Sequence, residues 1–477
     1  MTHSGEKNII KLNSLIQEYL GKEPIMKRMD KIEPMTDEMI AALGRLVRHE
    51  SVQGDPLPGK PFGEGPAACL AEALQIAQDM GFSVANMENY CGYAEMGEGK
   101  DIIGLCAHLD VVPAGEGWDT DPYVMTRKGN LLYGRGVSDD KGAVIASLYA
   151  MKLVKESGVP LKKRVRLLMG CNEETGSACM AYYAKHGEPI TAGFTPDGNF
   201  PGIHGEKGSC HMTARSKHTK ILSMNGGFVS NAVCNRCVTK VPAAKVPEDA
   251  LCSELKKTAL TAWKVTEENG VLTIEAQGVA AHASTPLQGV NAAGCTMQAL
   301  KNAGMQDDFV DFYLSHIGTA CDGAGIGCKT EDAYGNLTLN NGIVRTENGQ
   351  IICTIDIRYP VTLKPEQLRT MAEPYLEDSK GSITIDAVGE PLFYPEDSAL
   401  VQNLLKAYQE VTGDSETRPM VIGGGTYAKS VPGIIAFGCE FPGDDNHIHD
   451  ANESLKIRDF QMQVDIYAQA ILNLLQD

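Results

Sequence analysis

The chain is constrained most by short apolar runs that end in metal-competent polar side chains. Residues 102–107, IIGLCA, form a continuous apolar stretch, which is typical of a strand buried on both faces of a sheet. His108 and Asp110 follow this stretch directly. Because side chains two positions apart on extended backbone point the same way, we expect both groups to lie at one end of a buried strand.

Strand and helix patterns alternate around this run. A second short strand is predicted over residues 165–169. Apolar residues recur with helical spacing in four segments, which are residues 36–47, 66–81, 143–156 and 177–186. Such alternation predicts an α/β core with a mostly parallel mixed sheet. Helical spacing also covers residues 9–20, in an N-terminal extension whose role the sequence leaves open.

The pattern changes in the middle of the chain, after about residue 207. Alternation with a period of two becomes common there, which is typical of strands. The dipeptide Asn348-Gly349 favours a tight turn between two strands of a hairpin. Helical spacing returns from about residue 390, and the chain closes on an amphipathic helix.

These changes predict that one domain is inserted into another. We expect a catalytic α/β domain made of residues 1–207 and 389–477, interrupted by an α+β domain of residues 208–388. A chain of 477 residues is too long for one small domain, so its length agrees with two domains.

Composition argues against several classes of partner. The net charge of −18 disfavours nucleic acid and anionic membrane surfaces, and no apolar stretch approaches the roughly 20 residues of a membrane span. The N-terminus lacks the apolar region of a signal peptide, so we expect a cytoplasmic protein whose fourteen cysteines stay reduced. Cys234 and Cys237 form a lone CxxC, which we interpret as two incidental thiols; a redox pair or half of a zinc site is the alternative.

Further acidic side chains stand where predicted strands end or the next helix begins. In open α/β sheets, ligands bind beyond the carboxyl ends of the strands. The side chains are Asp139, Asp140, Glu173, Glu174 and Asp197, and two histidines, His447 and His449, stand near the end of the chain. Each pair alone could be a helix cap or a solvated turn. Their recurrence favours one metal site, because unpaired buried carboxylates are costly.

The donor types define the chemistry that such a site could support. Neutral imidazole and carboxylate suit zinc, manganese or cobalt. Two divalent ions about 3.5–4 Å apart need terminal and bridging ligands of this kind, and a carboxylate off the metal can act as a general base on water. The sequence therefore predicts a site for divalent ions, with Zn²⁺ as the first choice and Mn²⁺ or Co²⁺ as alternatives.

Five motifs, in this order along the chain, resemble those of the co-catalytic dizinc exopeptidases. They are HLDVVPAGEGW, YGRGVSDDKG, NEETGS, FTPDG and the HxxNE that runs from His449 to Glu453. The family includes carnosinases, aminoacylases, succinyl-diaminopimelate desuccinylase and bacterial dipeptidases, of which the PepV type is the most similar. The resemblance implies a zinc-exopeptidase-like α/β domain with an inserted ferredoxin-like lid.

The resemblance also implies a ligand set for two metal ions. His108 and Asp197 would hold one ion, and Glu174 and His449 would hold the other. Asp139 would bridge the two ions.

Neighbouring residues take supporting roles in the same resemblance. Asp110 would orient the His108 ring, and Glu173 would be the general base that moves the proton of the water to the leaving amine. The peptide bond between Asp139 and Asp140 would be cis. His447 competes with His449 as a ligand, and the HxxNE spacing favours His449.

The inserted domain carries residues that the resemblance assigns to the substrate. In the segment GVAAHASTPLQGVNA, His282 would stabilise the oxyanion of the tetrahedral intermediate, with Asn231 near it. Arg358 in DIRYP would pair with the C-terminal carboxylate of the substrate.

A glycine-rich turn, GGGTYAKS, resembles the segment whose backbone N–H groups help to bind that carboxylate. The relevant residues are Gly424, Gly425 and Thr426. Lys429 stands where an arginine is common in the family. Lysine keeps the charge but lacks the bidentate fork, which leaves open how strongly this chain binds a carboxylate.

The resemblance implies a metal-dependent dipeptidase that acts on free dipeptides with broad specificity, which could include β-alanyl dipeptides. Two alternatives stay open: an N-acyl amino acid deacylase such as a desuccinylase, and a non-catalytic peptide-binding protein on the same scaffold. The long insert resembles the enlarged PepV-type lid, which mimics a partner subunit within one chain. We therefore expect a monomer with a complete site, and a small peptide as its partner.

Overall fold

A computed structural model describes residues 25–476 of the chain. The helix predicted over residues 9–20 lies outside the described residues. The helices are α1 (Ile25–Ile32), α2 (Thr36–Val47), α3 (Glu64–Asp79), α4 (Lys141–Glu156), α5 (Ala178–His186), α6 (Glu248–Leu255), α7 (Ala292–Asn302), α8 (Asp308–Phe312), α9 (Pro365–Ala372), α10 (Ala399–Thr412) and α11 (Ile457–Gln476).

Short strands alternate with these helices. They are β1 (Ser83–Met87), β2 (Cys91–Met96), β3 (Ile102–His108), β4 (Thr126–Lys128), β5 (Leu131–Tyr133), β6 (Arg164–Gly170), β7 (Ala192–Thr195), β8 (Ile203–Glu206), β9 (Gly208–Ser216), β10 (Ser223–Gly226), β11 (Arg236–Pro242), β12 (Ala262–Glu268), β13 (Val271–Gln277), β14 (Glu331–Asp332), β15 (Gly335–Asn336), β16 (Thr338–Glu347), β17 (Gln350–Tyr359), β18 (Gly381–Gly389), β19 (Leu392–Phe393), β20 (Met420–Ile422), β21 (Ile434–Ala436) and β22 (Ser454–Lys456).

The chain folds into two compact units. The first unit, called the core unit here, comprises the described residues up to His204 together with 394–420 and 425–476. The second unit, called the lid unit here, comprises residues 205–393 and the short segment 421–424. The insert predicted from the sequence is residues 208–388.

The core unit is built on a mixed sheet in the order β1-β2-β6-β3-β7-β21. Strands β6, β3, β7 and β21 run parallel, whereas β1 and β2 are joined to them by antiparallel pairing. All seven residues of β3 are buried, as the apolar run predicts. His108 ends β3 and pairs with Gly170, which ends β6, so the residues that follow both strands emerge at the same edge of the sheet.

Helices predicted from apolar spacing are present with small shifts at their ends. Helix α2 spans the predicted 36–47. Helix α3 begins at Glu64, two residues before the predicted start at Pro66. Pro66 fits within the first helical turn because an N–H group there would have no partner inside the helix. Helix α4 begins at Lys141, directly after Asp140. It packs against α11, and both helices are buried on most sides, as expected of helices inside a core.

The lid unit contains an eight-stranded antiparallel sheet in the order β12-β13-β11-β10-β16-β17-β9-β18. Buried and accessible residues alternate along β13 and β9, which agrees with the period of two in the sequence. The predicted hairpin joins β16 to β17, with Glu347 opposite Gln350. Asn348 and Gly349 both have positive φ, which is the conformation that a two-residue hairpin turn requires.

No helix among residues 25–476 combines the length and the apolar character needed to cross a bilayer.

Replacing Gly193 by alanine should destabilise the core sheet. A Cβ atom at Gly193 in β7 would lie 1.8 Å from the carbonyl oxygen of Gly104 in β3, so the two parallel strands would have to move apart. Overpacking costs about 1–3 kcal/mol and occasionally more, and we expect the upper end of this range, measured as the loss in free energy of unfolding by denaturant titration. Gly54→Ala is the matched control, because the nearest atom to its new Cβ is 3.8 Å away. Equal stability of the two variants would contradict this account of the β3–β7 contact.

Candidate functional site

The carboxyl edge of the core sheet gathers the predicted metal ligands of the core unit. His108 ends β3, the two glutamates follow β6, and Asp197 follows β7. Ligand atoms of His108, Asp139 and Glu174 lie within 4.8 Å of one another, and those of His108, Glu173 and Asp197 do so as well. The loop before β22 contributes His449.

Asp139 lies between two histidine rings. One carboxylate oxygen, Oδ1, is 2.9 Å from Nε2 of His108, and the other, Oδ2, is 2.9 Å from Nε2 of His449. Glu174 is 3.2 Å from the same nitrogen of His449. The carboxylate of Asp139 is thus shared by both halves of the cluster, which is the arrangement that a bridging ligand needs. The peptide bond between Asp139 and Asp140 is cis.

The two histidines of the late motif lie in different surroundings. His449 contacts Asp139 and Glu174. Both histidine side chains are about half exposed, but Nδ1 of His447 is 3.8 Å from the exposed carboxylate of Asp445. Of the two candidates, His449 is therefore the one that faces the cluster.

The electrostatics of the cluster favour a bound cation. Burial, together with the negative charge of Asp197, raises the pKa of Glu173 well above its usual range, and burial with the charge of Asp139 raises the pKa of Glu174. Hydrogen bonds with Asp139 and Glu174 raise the pKa of His449 to about 11. The carboxylates outnumber the two histidines that could balance them, so this set of N and O donors fits divalent ions such as zinc, manganese or cobalt.

Both glutamates of the NEETGS motif belong to groups of potential metal ligands. Glu174 contacts His449, whereas Glu173 lies in the group with His108 and Asp197. The assignment of one glutamate as a ligand and the other as a base stays a prediction.

Asp110 contacts the ring of His108 and also forms hydrogen bonds with the backbone of both glutamates. The Nδ1 of His108 is 2.9 Å from the backbone carbonyl oxygen of Asp110 and 3.6 Å from its carboxylate. The carboxylate itself accepts hydrogen bonds from the backbone N–H groups of Glu173 (3.0 Å) and Glu174 (3.1 Å). The structure therefore places Asp110 as a support for both glutamates, a role that the sequence analysis did not predict.

Glu453, the last residue of the HxxNE motif, supports the site in a way that the sequence does not predict. Its fully buried carboxylate accepts hydrogen bonds from the backbone N–H groups of Gly136, Ser138 and Asp139. It also forms an ion pair with the buried guanidinium of Arg135, with N and O 2.8 Å apart. Glu453 thus fixes the backbone that carries Asp139.

Two further side chains surround His108. The carboxylate of Asp140 accepts the backbone N–H of His108 at 3.0 Å. The ring of Tyr427, from the glycine-rich motif, meets the His108 ring edge to face with centroids 6.2 Å apart. Both residues lie in motifs that the sequence analysis singled out, but their contacts with His108 are set by the fold.

In the lid unit, Asn231 and His282 lie side by side. Ala232 and His282 form a bridge between two loops, and the N–H of Ala283 donates to the backbone oxygen of Asn231 at 2.8 Å. The hydroxyl of Thr338 in β16 donates to the carbonyl of Ala283 at 3.0 Å. These bonds tie both loops to one strand of the lid sheet.

Arg358 belongs to the same cluster, because it pairs with Thr338 across β16 and β17. Its Nε and Nη2 donate to the two carboxylate oxygens of Asp356, at 2.7 and 2.9 Å, and Asp356 is fully buried. Its Nη1 donates to the carbonyl of Gly423 at 3.2 Å. One edge of the guanidinium is thus held by Asp356, which the sequence analysis missed although residues i and i+2 of a strand share a face.

The glycine-rich turn runs through the point where the chain leaves the lid unit. Gly424 belongs to the lid unit, whereas Gly425 and Thr426 belong to the core unit. The hydroxyl oxygen of Thr426 accepts the N–H of Ala428 at 3.1 Å and so caps the short helical turn that contains Lys429.

None of the fourteen cysteines, all of which the structure describes, belongs to the groups of potential metal ligands around His108. All fourteen are unpaired, and burial raises the pKa of Cys234 to about 11. Cys234 and Cys237 lie in the apolar core of the lid unit. Their burial in an apolar core agrees with the interpretation of the CxxC as two incidental thiols, which stays a prediction.

Comparison with known proteins gives one family for most of the chain. A family model described as "Peptidase family M20/M25/M40" matches residues 104–473.

Individual relatives agree with that match. The chain is similar to the Bacillus subtilis (strain 168) protein named "Putative dipeptidase YtjP", with 34% identity over 92% of this chain and 97% of the relative. In structure it is similar to human carnosine dipeptidase 1, with a TM-score of 0.57 and 16% identity over 95% of this chain and 99% of that one. It is also similar to the dipeptidase Dug1p of Saccharomyces cerevisiae, with a TM-score of 0.53 and 13% identity over 95% and 99% of the two chains.

Replacing Glu453 by glutamine should weaken both the fold and metal binding. The amide would put an N–H₂ group against backbone N–H donors and leave the buried guanidinium of Arg135 without its carboxylate partner. Loss of one partner of a buried ion pair costs about 3–5 kcal/mol, measured by denaturant titration of the metal-free protein. Because the backbone at Asp139 would lose its support, bound metal should also fall.

Asp445→Asn is the control for this variant. Asp445 lies in the same loop region, but its carboxylate is 82% exposed, so stability and metal content should stay as in the parent protein. An E453Q protein with the stability of D445N would show that Glu453 does not hold the site together.

Proposed function

Since the chain belongs to peptidase family M20/M25/M40 and is a metal-dependent hydrolase, we propose that it is a dipeptidase that cleaves free dipeptides. The observation that carries the proposal is the position of the Asp139 carboxylate. One of its oxygens lies 2.9 Å from the His108 ring and the other lies 2.9 Å from the His449 ring, which also contacts Glu174. We further propose broad side-chain specificity that extends to β-alanyl dipeptides.

We propose two metal ions in the site, with zinc as the physiological ion. His108 and Asp197 are the proposed ligands of one ion, Glu174 and His449 those of the other, and Asp139 is shared. The contacts of His449 with Asp139 and Glu174, and the closeness of Asp197 to His108, support this division. When bound, such ions supply Lewis-acid activation of water and of a carbonyl group.

The residues of the core unit handle the proton. In this proposal a carboxylate oxygen of Glu173 takes a proton from the attacking water and gives it to the nitrogen of the leaving amine. Glu174 is assigned to the metal because it is the glutamate that contacts His449. Asp110 keeps both glutamates in place through their backbone N–H groups.

The residues of the lid unit recognise the peptide. We propose that Nε2 of His282 donates a hydrogen bond to the oxyanion of the tetrahedral intermediate, with Asn231 beside it. Arg358 would bind the C-terminal carboxylate with the edge of its guanidinium that Asp356 does not occupy. Backbone N–H groups of Gly424, Gly425 and Thr426 would add to the binding of that carboxylate.

The proposal also covers the state and location of the protein. A ferredoxin-like unit has four strands, and the lid sheet has eight, which supports a lid that completes the site without a partner subunit. Fourteen unpaired cysteines support a reducing, cytoplasmic location. We therefore propose a cytoplasmic enzyme that is active as a monomer.

Turnover of a substrate panel by the metal-loaded protein tests the function. We expect chelator-sensitive cleavage of free α- and β-alanyl dipeptides and little cleavage of tripeptides or N-acyl amino acids. Specific activity should stay constant on dilution if one chain carries a complete site. Cleavage of only the acylated substrates would assign the protein to the deacylases, and binding of dipeptides without cleavage would favour a peptide-binding protein.

Glu173→Gln, purified in the same way, controls for contaminating peptidases. Its turnover should fall by about 10²–10⁴-fold, the range for loss of a general base, while its metal content stays close to that of the parent. Full turnover by this variant would remove Glu173 from the proposed mechanism.

Metal content of two histidine variants tests the ligand set. His449→Ala should lose close to one of two metal equivalents, because it removes a nitrogen that faces Asp139 and Glu174. His447→Ala is the matched control in the same loop and should keep both. Elemental analysis after dialysis gives the stoichiometry. A loss of metal from the His447 variant alone would reverse the assignment.

A further inference from the structure

The ring of His282 makes two contacts with a single nearby residue. The backbone N–H of Ser284 lies 3.2 Å from Nδ1 of His282. The hydroxyl oxygen of Ser284 lies 2.7 Å from the same nitrogen. Both polar groups of Ser284 that carry a proton thus converge on one side of the imidazole.

These contacts determine which ring nitrogen carries the proton. A backbone N–H group can only donate, so Nδ1 must accept from it. An imidazole nitrogen that accepts a hydrogen bond has no proton of its own, and the neutral ring then carries its proton on Nε2. The hydroxyl of Ser284, which rotates to suit its partner, donates to Nδ1 as well.

We propose that Ser284 is a positioning residue that holds His282 in the Nε2–H tautomer. This inference rests on the proposed function, in which Nε2 of His282 donates to the oxyanion. The other tautomer would present a lone pair at Nε2 and would repel a developing negative charge. Ser284 thereby keeps the donor on the outer nitrogen before any substrate arrives, which is the preorganisation that oxyanion stabilisation requires.

The surroundings of Ser284 keep it in this position. On one side, the preceding residue, Ala283, is tied through its N–H to Asn231 and through its carbonyl to Thr338. On the other side, a Cβ atom at Gly423 would lie 2.1 Å from the Cβ of Ser284. Only glycine at position 423 lets Ser284 occupy this place. The loop is therefore fixed by contacts that are independent of the imidazole itself.

The test is a double-mutant cycle with Ser284→Ala and His282→Ala in the metal-loaded protein. Ser284→Ala keeps the Cβ atom and the backbone N–H and removes only the hydroxyl. We expect kcat on a free dipeptide to fall about 3- to 10-fold, the usual effect of one hydrogen bond, with KM unchanged. In the His282→Ala background, Ser284→Ala should have no further effect, because the ring that it positions is gone.

Thr285→Ala is the matched control, since it removes a hydroxyl from the next residue of the same loop. It should leave kcat and KM as in the parent. A spectroscopic readout accompanies the kinetics: ¹⁵N spectra of protein labelled at the histidine rings report which ring nitrogen is protonated. The His282 signals, identified by their absence in His282→Ala, should show Nε2–H in the parent. Ser284→Ala should show a larger share of Nδ1–H, because the longer bond from the backbone N–H at position 284 is then the only one of the two donors left on Nδ1.

The possible outcomes separate this inference from the proposed function. Full activity of His282→Ala would overturn the oxyanion role and the inference with it. An impaired His282→Ala with a fully active Ser284→Ala would overturn the inference alone. The inference also fails if Ser284→Ala lowers kcat equally in both backgrounds, because its effect would then not act through His282, or if the parent shows Nδ1–H.

Discussion

The core unit depends on a single carboxylate, that of Asp139, which lies between two histidine rings. Burial raises the pKa of this group, yet hydrogen bonds from His108 and His449 bring it below its usual range. A carboxylate held between two rings needs a rigid backbone. The carboxylate of Glu453 fixes this backbone because it accepts hydrogen bonds from three N–H groups in the segment around Asp139. Much of the polar interior of the core unit can be understood as the support of this one group.

The pairing of the strands in the core sheet determines where the polar side chains of the cluster lie. Parallel pairing of β6, β3 and β7 brings their carboxyl ends to one edge, so residues far apart in the sequence converge without long loops. The carboxylate of Asp110 spans from the end of β3 to the turn after β6 and accepts from two successive N–H groups. The polar cluster therefore lies at the edge of the sheet, and its geometry is set by the paired strands β6, β3 and β7.

Much of this arrangement could be predicted from the sequence, because it rests on local patterns. Apolar runs and helical spacing gave β3, β6 and α2 with ends within a residue or two, and the Asn348-Gly349 turn fixed a hairpin by its own backbone preference. The contacts of Glu453 with Gly136, Ser138 and Asp139 could not be predicted, since they join residues more than 300 positions apart. Asp356 could have been: it stands two residues before Arg358 on one strand. The tautomer of His282 needed atomic positions, because no sequence pattern reports where a hydroxyl lies.

The path of the chain through the lid unit has a consequence for inheritance and for engineering. Residues 205–393 are continuous, but residues 421–424 reach the same unit separately, and one of them, Gly423, provides both the carbonyl that Arg358 contacts and the space that Ser284 occupies. The lid unit is consequently not encoded by one continuous segment of the chain. A chimaera or a recombination event that exchanged only residues 205–393 would combine a lid from one protein with residues 421–424 from another. Lid units can therefore be exchanged between relatives only where both segments are transferred together or already match.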